Sequence, residues 1–200
     1  MRRLPFLPTL LVGLAVTAMV ALGLWQLLDR RPRKLAFLEQ LAGNPSLPPV
    51  AFPRIPDERL LFRRTIATCR PPVAIRLAGA GAAGFRAIAT CNDPGTDPGL
   101  TVQLGTTRDP KARVTWGGGT VAGYIGHAPD GRSLIGAALH PQPPRPMLIA
   151  TTPLAGLSAN APPDIDSVPN NHLAYGVQWF FFAGVATVIY LLAVGRRPNG

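Results

Sequence analysis

The 200-residue sequence predicts a membrane protein in which two transmembrane helices flank a small α+β, mainly antiparallel β, domain. Three observations carry this expectation. Apolar stretches lie at opposite ends of the chain, each long enough to cross the roughly 30 Å of bilayer hydrocarbon. Basic residues crowd the ends of both. Between them, short β-prone segments alternate with Gly, Pro and Asp clusters, the punctuation expected of a sheet built from hairpins.

The first span covers residues 9–28, where Thr9, Thr17 and Gln26 are the polar side chains and no charge occurs. Pro5 and Pro8 precede it, and a helix start tolerates proline. Arg2, Arg3 and the Ala18-Met19-Val20-Ala21 run would also suit a cleaved signal peptide. Signal h-regions, however, run only about 7–15 residues. This stretch is longer and ends on Trp25, an interfacial anchor type, so an uncleaved span is expected. Residues 29–44 read as a helical extension, with Leu35, Leu38 and Leu41 holding an apolar stripe and Gly43-Asn44-Pro45 ending it. Pro32 is placed to kink it.

Residues 45–168 form the expected β-rich domain, entered through the proline-rich linker 45–56. Candidate strands are 60–69, 73–78, 84–91, 100–105, 112–116, 119–126, 132–138 and 146–151. Turn signals between them include Asp93-Pro94-Gly95, Asp97-Pro98-Gly99, Pro129-Asp130-Gly131 and Pro141-Gln142-Pro143-Pro144. The second span covers residues 169–195, entered through Asn170-Asn171-His172 and stopped by Arg196 and Arg197.

The formal charge of +10 does not point to nucleic acid. Residues 35–168 hold twelve Lys/Arg against nine Asp/Glu, an excess of +3. The remainder flanks the spans, where anionic lipid headgroups attract it. For topology, charge gives a tie. With both termini cytoplasmic, Arg2, Arg3, Arg196 and Arg197 lie inside, and Arg30, Arg31, Arg33 and Lys34 lie outside.

Arg64-Thr65-Ile66-Ala67-Thr68-Cys69 nearly repeats as Arg86-Ala87-Ile88-Ala89-Thr90-Cys91. If strands 60–69, 73–78 and 84–91 form a meander, both cysteines lie at one end. A flat meander would hold their Cα atoms two strand spacings apart, about 10 Å, beyond the roughly 7 Å that a disulfide allows. Twist, or exit of both into loops, would close that gap. Paired and free thiols both stand at this point. No CxxC pair suggests a metal or thioredoxin-like site.

Other motifs carry little chemistry. Gly79-Ala80-Gly81-Ala82-Ala83-Gly84 has dinucleotide-loop spacing, but the following Phe85–Cys91 segment reads as a strand and no acidic residue follows at 100–108. A hairpin loop is expected. Ser133 stands in Gly-Arg-Ser-Leu-Ile-Gly, which is not G-x-S-x-G. Trp116-Gly117-Gly118-Gly119 reads as a turn. His127 and His140 border proline-rich turns and have no carboxylate at obvious ligand spacing. No nucleophile, base and orienting group assemble in sequence, so an enzyme is not expected.

The entrance to the second span is richer. His172, Tyr175, Gly176 and Trp179 fall at i, i+3, i+4 and i+7 on one helical face. One reading is a helix entrance capped by Asn171, worth about 0.5–2 kcal/mol of local stability. The other is cofactor ligation: imidazole is a common haem-iron ligand, Gly176 would leave room for a flat macrocycle, and Tyr175 and Trp179 would offer ring faces.

Gly23-Leu24-Trp25-Gln26-Leu27 with Arg30 and Lys34 resembles the first-span exit of the Surfeit locus protein one family, the Shy-one-type assembly factors of cytochrome c oxidase. Asn170-Asn171-His172-Leu173-x-Tyr175 followed by Trp179-Phe180 resembles that family's second-span entrance. Gly84-Phe85-Arg86-Ala87 is similar to its Gly-Tyr strand. Val102-Gln103-Leu104-Gly105-Thr106-Thr107 stands where the family usually has an Asn-Arg-Gly-Trp turn.

The resemblance implies a bacterial inner-membrane protein with both termini cytoplasmic and a periplasmic domain. It further implies help in placing haem a into oxidase subunit I, with that subunit and the haem a synthesis machinery as partners. His172 would be a haem ligand, held transiently, with Tyr175 and Trp179 beside it. The competing expectation is an accessory subunit of a respiratory complex that makes protein contacts and binds no haem. For topology, alkaline phosphatase fused at Gly95 is expected to be active and a fusion at Gly200 inactive; the reverse pattern would invert the orientation.

Overall fold

The computed structural model describes residues 5–92, 99–132 and 134–196. Arg2, Arg3, the Asp93-Pro94-Gly95 and Asp97-Pro98 turn signals, Ser133, Arg197 and Gly200 lie outside the described residues. The chain divides into two compact units, one of residues 1–38 with 166–200 and one of residues 39–165.

In the first unit, helix α1 (Phe6–Trp25) continues through a π-helical turn, Gln26–Arg30, into α2 (Arg31–Gly43). The turn is marked by Arg31 N–H donating to the Gln26 carbonyl, five residues back. Pro32 supplies its physical cause. Proline has no N–H for the Leu28 carbonyl and its ring crowds that oxygen, and a widened turn absorbs the misfit. Helix α4 (His172–Gly195) runs antiparallel to α1: Thr9 meets Tyr190 near one end, and Gln26 meets His172 near the other. Both helical segments are long and apolar enough to cross a membrane.

The second unit is one seven-stranded sheet: β1 (Val50–Ala51), β2 (Arg64–Cys69), β3 (Val73–Gly79), β4 (Phe85–Cys91), β5 (Thr101–Thr107), β6 (Gly119–His127) and β7 (Pro146–Ala150). Their order is β1-β2-β6-β7-β5-β4-β3. Four neighbouring pairs are antiparallel, but β1–β2 and β5–β7 are parallel, so the sheet is mixed rather than purely antiparallel.

The expected meander is not formed. Strand β2 pairs with β6 rather than with β3. Four strand spacings separate β2 from β4 in the ladder, at least about 19 Å in a flat sheet. The Cα atoms of Cys69 and Cys91 are nevertheless 5.2 Å apart and their sulfurs are bonded. The sheet therefore coils strongly, toward the closure of a barrel. β2 passes to β3 through residues 70–72 alone, and the Asn92 N–H donates to the Arg70 carbonyl beside the disulfide. Gly118, at φ +98°, lies against this junction, where a Cβ would stand 2.6 Å from the Cys69 carbonyl oxygen.

Two other expected strands differ. Residues 112–116 form no ladder, although Val114 and Trp116 pack against the core; the apolar alternation is satisfied by burial alone. The described residues of 132–138 contain no strand, and Leu134–Leu139 is a short helix, α3. A brief apolar run does not by itself distinguish strand from helix. The Gly79–Gly84 loop closes the β3–β4 hairpin, as its sequence suggested.

Val102, Leu104 and Leu148 fill the core completely buried, with Ala87 and Ala89 beside them. The segment after β7 straps this sheet. Ser158 bridges Thr106, Asn160 exchanges hydrogen bonds with Gln103 and donates to the Ala150 carbonyl, and the Tyr124 hydroxyl donates to the Ala161 carbonyl. Burial raises the Tyr124 phenol above its ordinary pKa. At the start of the domain, buried Asn44 donates to the carbonyls of Arg59 and Leu61, fixing the end of α2.

The disulfide spans a separation of 22 residues, so loop-closure entropy assigns it about 3 kcal/mol. The Cys69→Ser/Cys91→Ser double variant is expected to lose roughly that stability in urea unfolding, and reductant should shift the parent but not the variant.

Candidate functional site

The inner faces of α1 and α4 are short lists of residues at helical spacing. On α1 and the π-helical turn that continues it, Thr9, Val12, Val16, Val20, Gly23 and Leu27 are shielded in whole or part. On α4, His172, Gly176, Phe180, Ala183 and Tyr190 are shielded. The two buried glycines set how closely the helices approach. A Cβ at Gly23 would lie 2.8 Å from the Phe180 ring, and one at Gly176 would lie 2.7 Å from Leu27 Cδ2 and 3.5 Å from the Gly23 carbonyl oxygen. Small residues at such crossings let helix backbones come together in lipid.

This close approach brings His172 to Gln26, with Nδ1 and Oε1 2.8 Å apart. With the Gln26 amide oxygen facing the ring, the tautomer that closes this hydrogen bond carries its proton on Nδ1. Neutral imidazole has one N–H, which leaves Nε2 with a bare lone pair. Among the described residues, no protein group bonds to that Nε2. At the far end, the Thr9 hydroxyl donates to the Pro5 carbonyl, so the Tyr190 hydroxyl is the donor to Thr9.

The remaining expected site residues are dispersed around this pair. Trp25 faces outward, with the Arg30 guanidinium 4.6 Å from its ring centre. Tyr175 is 49% exposed and lies off the shielded face. Trp179 is half-buried and meets Phe182 edge to face at 6.3 Å. Asn170 is exposed.

Two expectations need correction. The space beside Gly176 is not left open for a macrocycle, because Leu27 occupies it. Asn171 stands at the N-cap position, but its side chain makes no capping bond. Its backbone, at φ −96° and ψ 8°, is outside the extended conformation that aims a capping side chain at the helix amides. The 0.5–2 kcal/mol expected of a cap does not apply.

What sequence reading missed is the pairing, not the residues. Gln26 and His172 each stood in a motif, but 146 positions separate them. A usable signal existed: each helix places a small residue, Gly23 or Gly176, about one turn from its polar side chain on the inner face. His127 proves to face a carboxylate after all, Glu58, with Nε2 and Oε1 3.0 Å apart in an exposed pair. His140 is exposed. Among the described residues, no group of three or more His, Cys, Asp or Glu side chains could hold a metal ion. A cleft of about 820 Å³ in the sheet domain is lined by Phe52, Ile55 and Leu100 together with Arg54, Arg70 and Arg145, and, among the described residues, by no carboxylate, thiol or imidazole.

The helix contact makes a direct prediction. Gly23→Leu must drive a branched side chain into Phe180, and overpacking of this kind costs about 1–3 kcal/mol. Gly13, with nothing within 4 Å of a built Cβ, is the control. In detergent, Gly23→Leu should lose folded protein on heating well before the parent, and Gly13→Leu should not.

No curated protein and no solved structure matches the chain. The protein-family comparison matches the SURF1 family over residues 13–184, a range that takes in Gln26, His172 and the whole sheet between them. On that match the chain belongs to the SURF1 family, a family of cytochrome oxidase assembly factors.

Proposed function

We propose that this protein assists delivery of haem a to, or its insertion into, subunit I of a haem-copper terminal oxidase. We read it as a non-enzymatic factor of the bacterial inner membrane, with its sheet domain in the periplasm. The haem a synthesis machinery and subunit I would be its partners. The observation that carries this reading is the His172 imidazole, whose Nδ1 faces the Gln26 amide oxygen at 2.8 Å and whose Nε2 meets no protein group among the described residues.

That donor arrangement fits an axial iron ligand. Ligating histidines almost always donate a hydrogen bond from their second ring N–H to an oxygen nearby, which orients the ring and raises its basicity. His172 would hold the iron through Nε2. Tyr175 and the half-buried Trp179 offer ring surface on the same helix. A bound haem supplies an iron centre that accepts the Nε2 lone pair; the protein supplies position and shelter. His127 and His140 belong to the other compact unit, so the haem-bearing unit offers one imidazole among its described residues. A single protein ligand suits a carrier that must release its cofactor.

A second reading, an accessory subunit that binds no haem, is favoured by one observation: Leu27 fills the slot beside Gly176. Co-expression with haem a synthesis enzymes separates the two. The haem reading expects a purified protein with a haem absorption spectrum, and the accessory reading expects a stable, colourless one. His172→Ala and His172→Phe should each lower haem content more than about 100-fold, beyond the loss typical of disturbing a ligand's outer partners, at near-normal protein level. Equal pigment in parent and variants would remove His172 from the role.

A further inference from the structure

We propose that Gln26 is the positioning residue for His172: it fixes the imidazole as the Nδ1–H tautomer and so makes Nε2 the ligating atom. The inference rests on the haem reading for its purpose, but its geometry does not. The side chains lie on different helices and meet at 2.8 Å, with an amide oxygen facing a ring nitrogen. An oxygen in that place accepts a hydrogen bond and cannot donate one. In free imidazole the proton favours neither nitrogen strongly, so one hydrogen bond worth about 0.5–1.5 kcal/mol is enough to choose between them.

Local construction supports a dedicated role. Gln26 opens the π-helical turn and supplies the carbonyl of its five-residue hydrogen bond. Such turns occur often at functional sites, because they re-aim side chains relative to a regular helix. The adjacent Leu27 seats against Gly176, one turn along α4 from His172, and the Gly176 backbone lies against the Gly23 carbonyl. These contacts set the separation of the helices at the level of the pair. Trp25 and Arg30 stack on the outer side of the same turn. The backbone that carries Gln26 is therefore fixed by contacts of its neighbours, and the amide itself meets His172.

Gln26 touches neither iron nor haem in this scheme; it acts through His172. Its removal should therefore disturb the tautomer whether or not haem is present. Nitrogen-15 imidazole spectra of the detergent-solubilised full chain at alkaline pH read this directly, with the His172 signal assigned by its loss in His172→Ala. The parent should show protonated Nδ1 and unprotonated Nε2. Gln26→Met, close in length but lacking an acceptor, should move the signal toward a tautomer mixture. Gln26→Glu keeps an acceptor oxygen and should restore the parent pattern. A parent ring protonated at Nε2, or a pattern unmoved by Gln26→Met, would overturn the proposal.

Titration with ferric haem is the second arm. Affinity should fall roughly 10–100-fold in Gln26→Met, the range known for outer partners of metal-bound histidine, and recover in Gln26→Glu. If His172→Ala abolishes binding while Gln26→Met leaves both affinity and tautomer alone, the haem reading stands and the Gln26 proposal fails. If Gln26→Met shifts the tautomer but neither variant alters haem binding, Gln26 orients the ring and the haem reading fails. Circular dichroism of each variant reports helix content, and the Glu variant keeps the test decisive should Gln26→Met be poorly folded.

Discussion

A polar side chain between membrane helices must find its partner within the protein, because hydrocarbon offers none. With two helices in the unit, each can turn only to itself or to the other. Thr187 takes the first course and donates to the Ala183 carbonyl one turn back. Gln26 with His172, and Tyr190 with Thr9, take the second. The two cross-helix pairs, near opposite ends of the contact, set rotation and register together: a slip of either helix would leave both pairs unmet. The glycines let the backbones come close enough for short side chains to reach.

The sheet domain meets a different constraint in water. Its strands must close on themselves or leave edges, and closure here is covalent at one point, where Cys69 joins Cys91. Parallel pairing of β5 with β7 is part of the same coiling. The strap from Leu154 to Ala161 then covers the core, with bare Gly105 leaving room for Leu157. Thus one unit is held by few polar pairs in an apolar setting, and the other by a continuous ladder and a disulfide.

The site proposed for haem is sparse, and its sparseness is consistent with transfer. A permanent haem protein gains by enclosing the macrocycle and binding iron from two sides. Here one imidazole is poised, its neighbouring slot is closed by Leu27, and Tyr175 lies open. On the proposed reading, haem affinity would depend on how well that one imidazole is prepared, and hence on the amide behind it.

The sequence by itself determined the two apolar helices, the Gly/Pro-punctuated sheet domain between them, and the short terminal motifs that hold Gln26 and His172. These are local properties, set by composition, length and spacing within a few turns. It also marked Cys69 and Cys91 through the near-repeat, but a flat meander was the wrong frame for judging their distance. Strand order, the parallel pairs and the meeting of the cysteines came only with the tertiary structure, because ladder partners are chosen by coiling and burial across the whole domain. The same holds for the candidate site. That Leu27 closes the Gly176 slot, that Asn171 does not cap, and that Gln26 faces His172 are consequences of how two helices 146 residues apart rotate against each other, and no local pattern encodes that rotation.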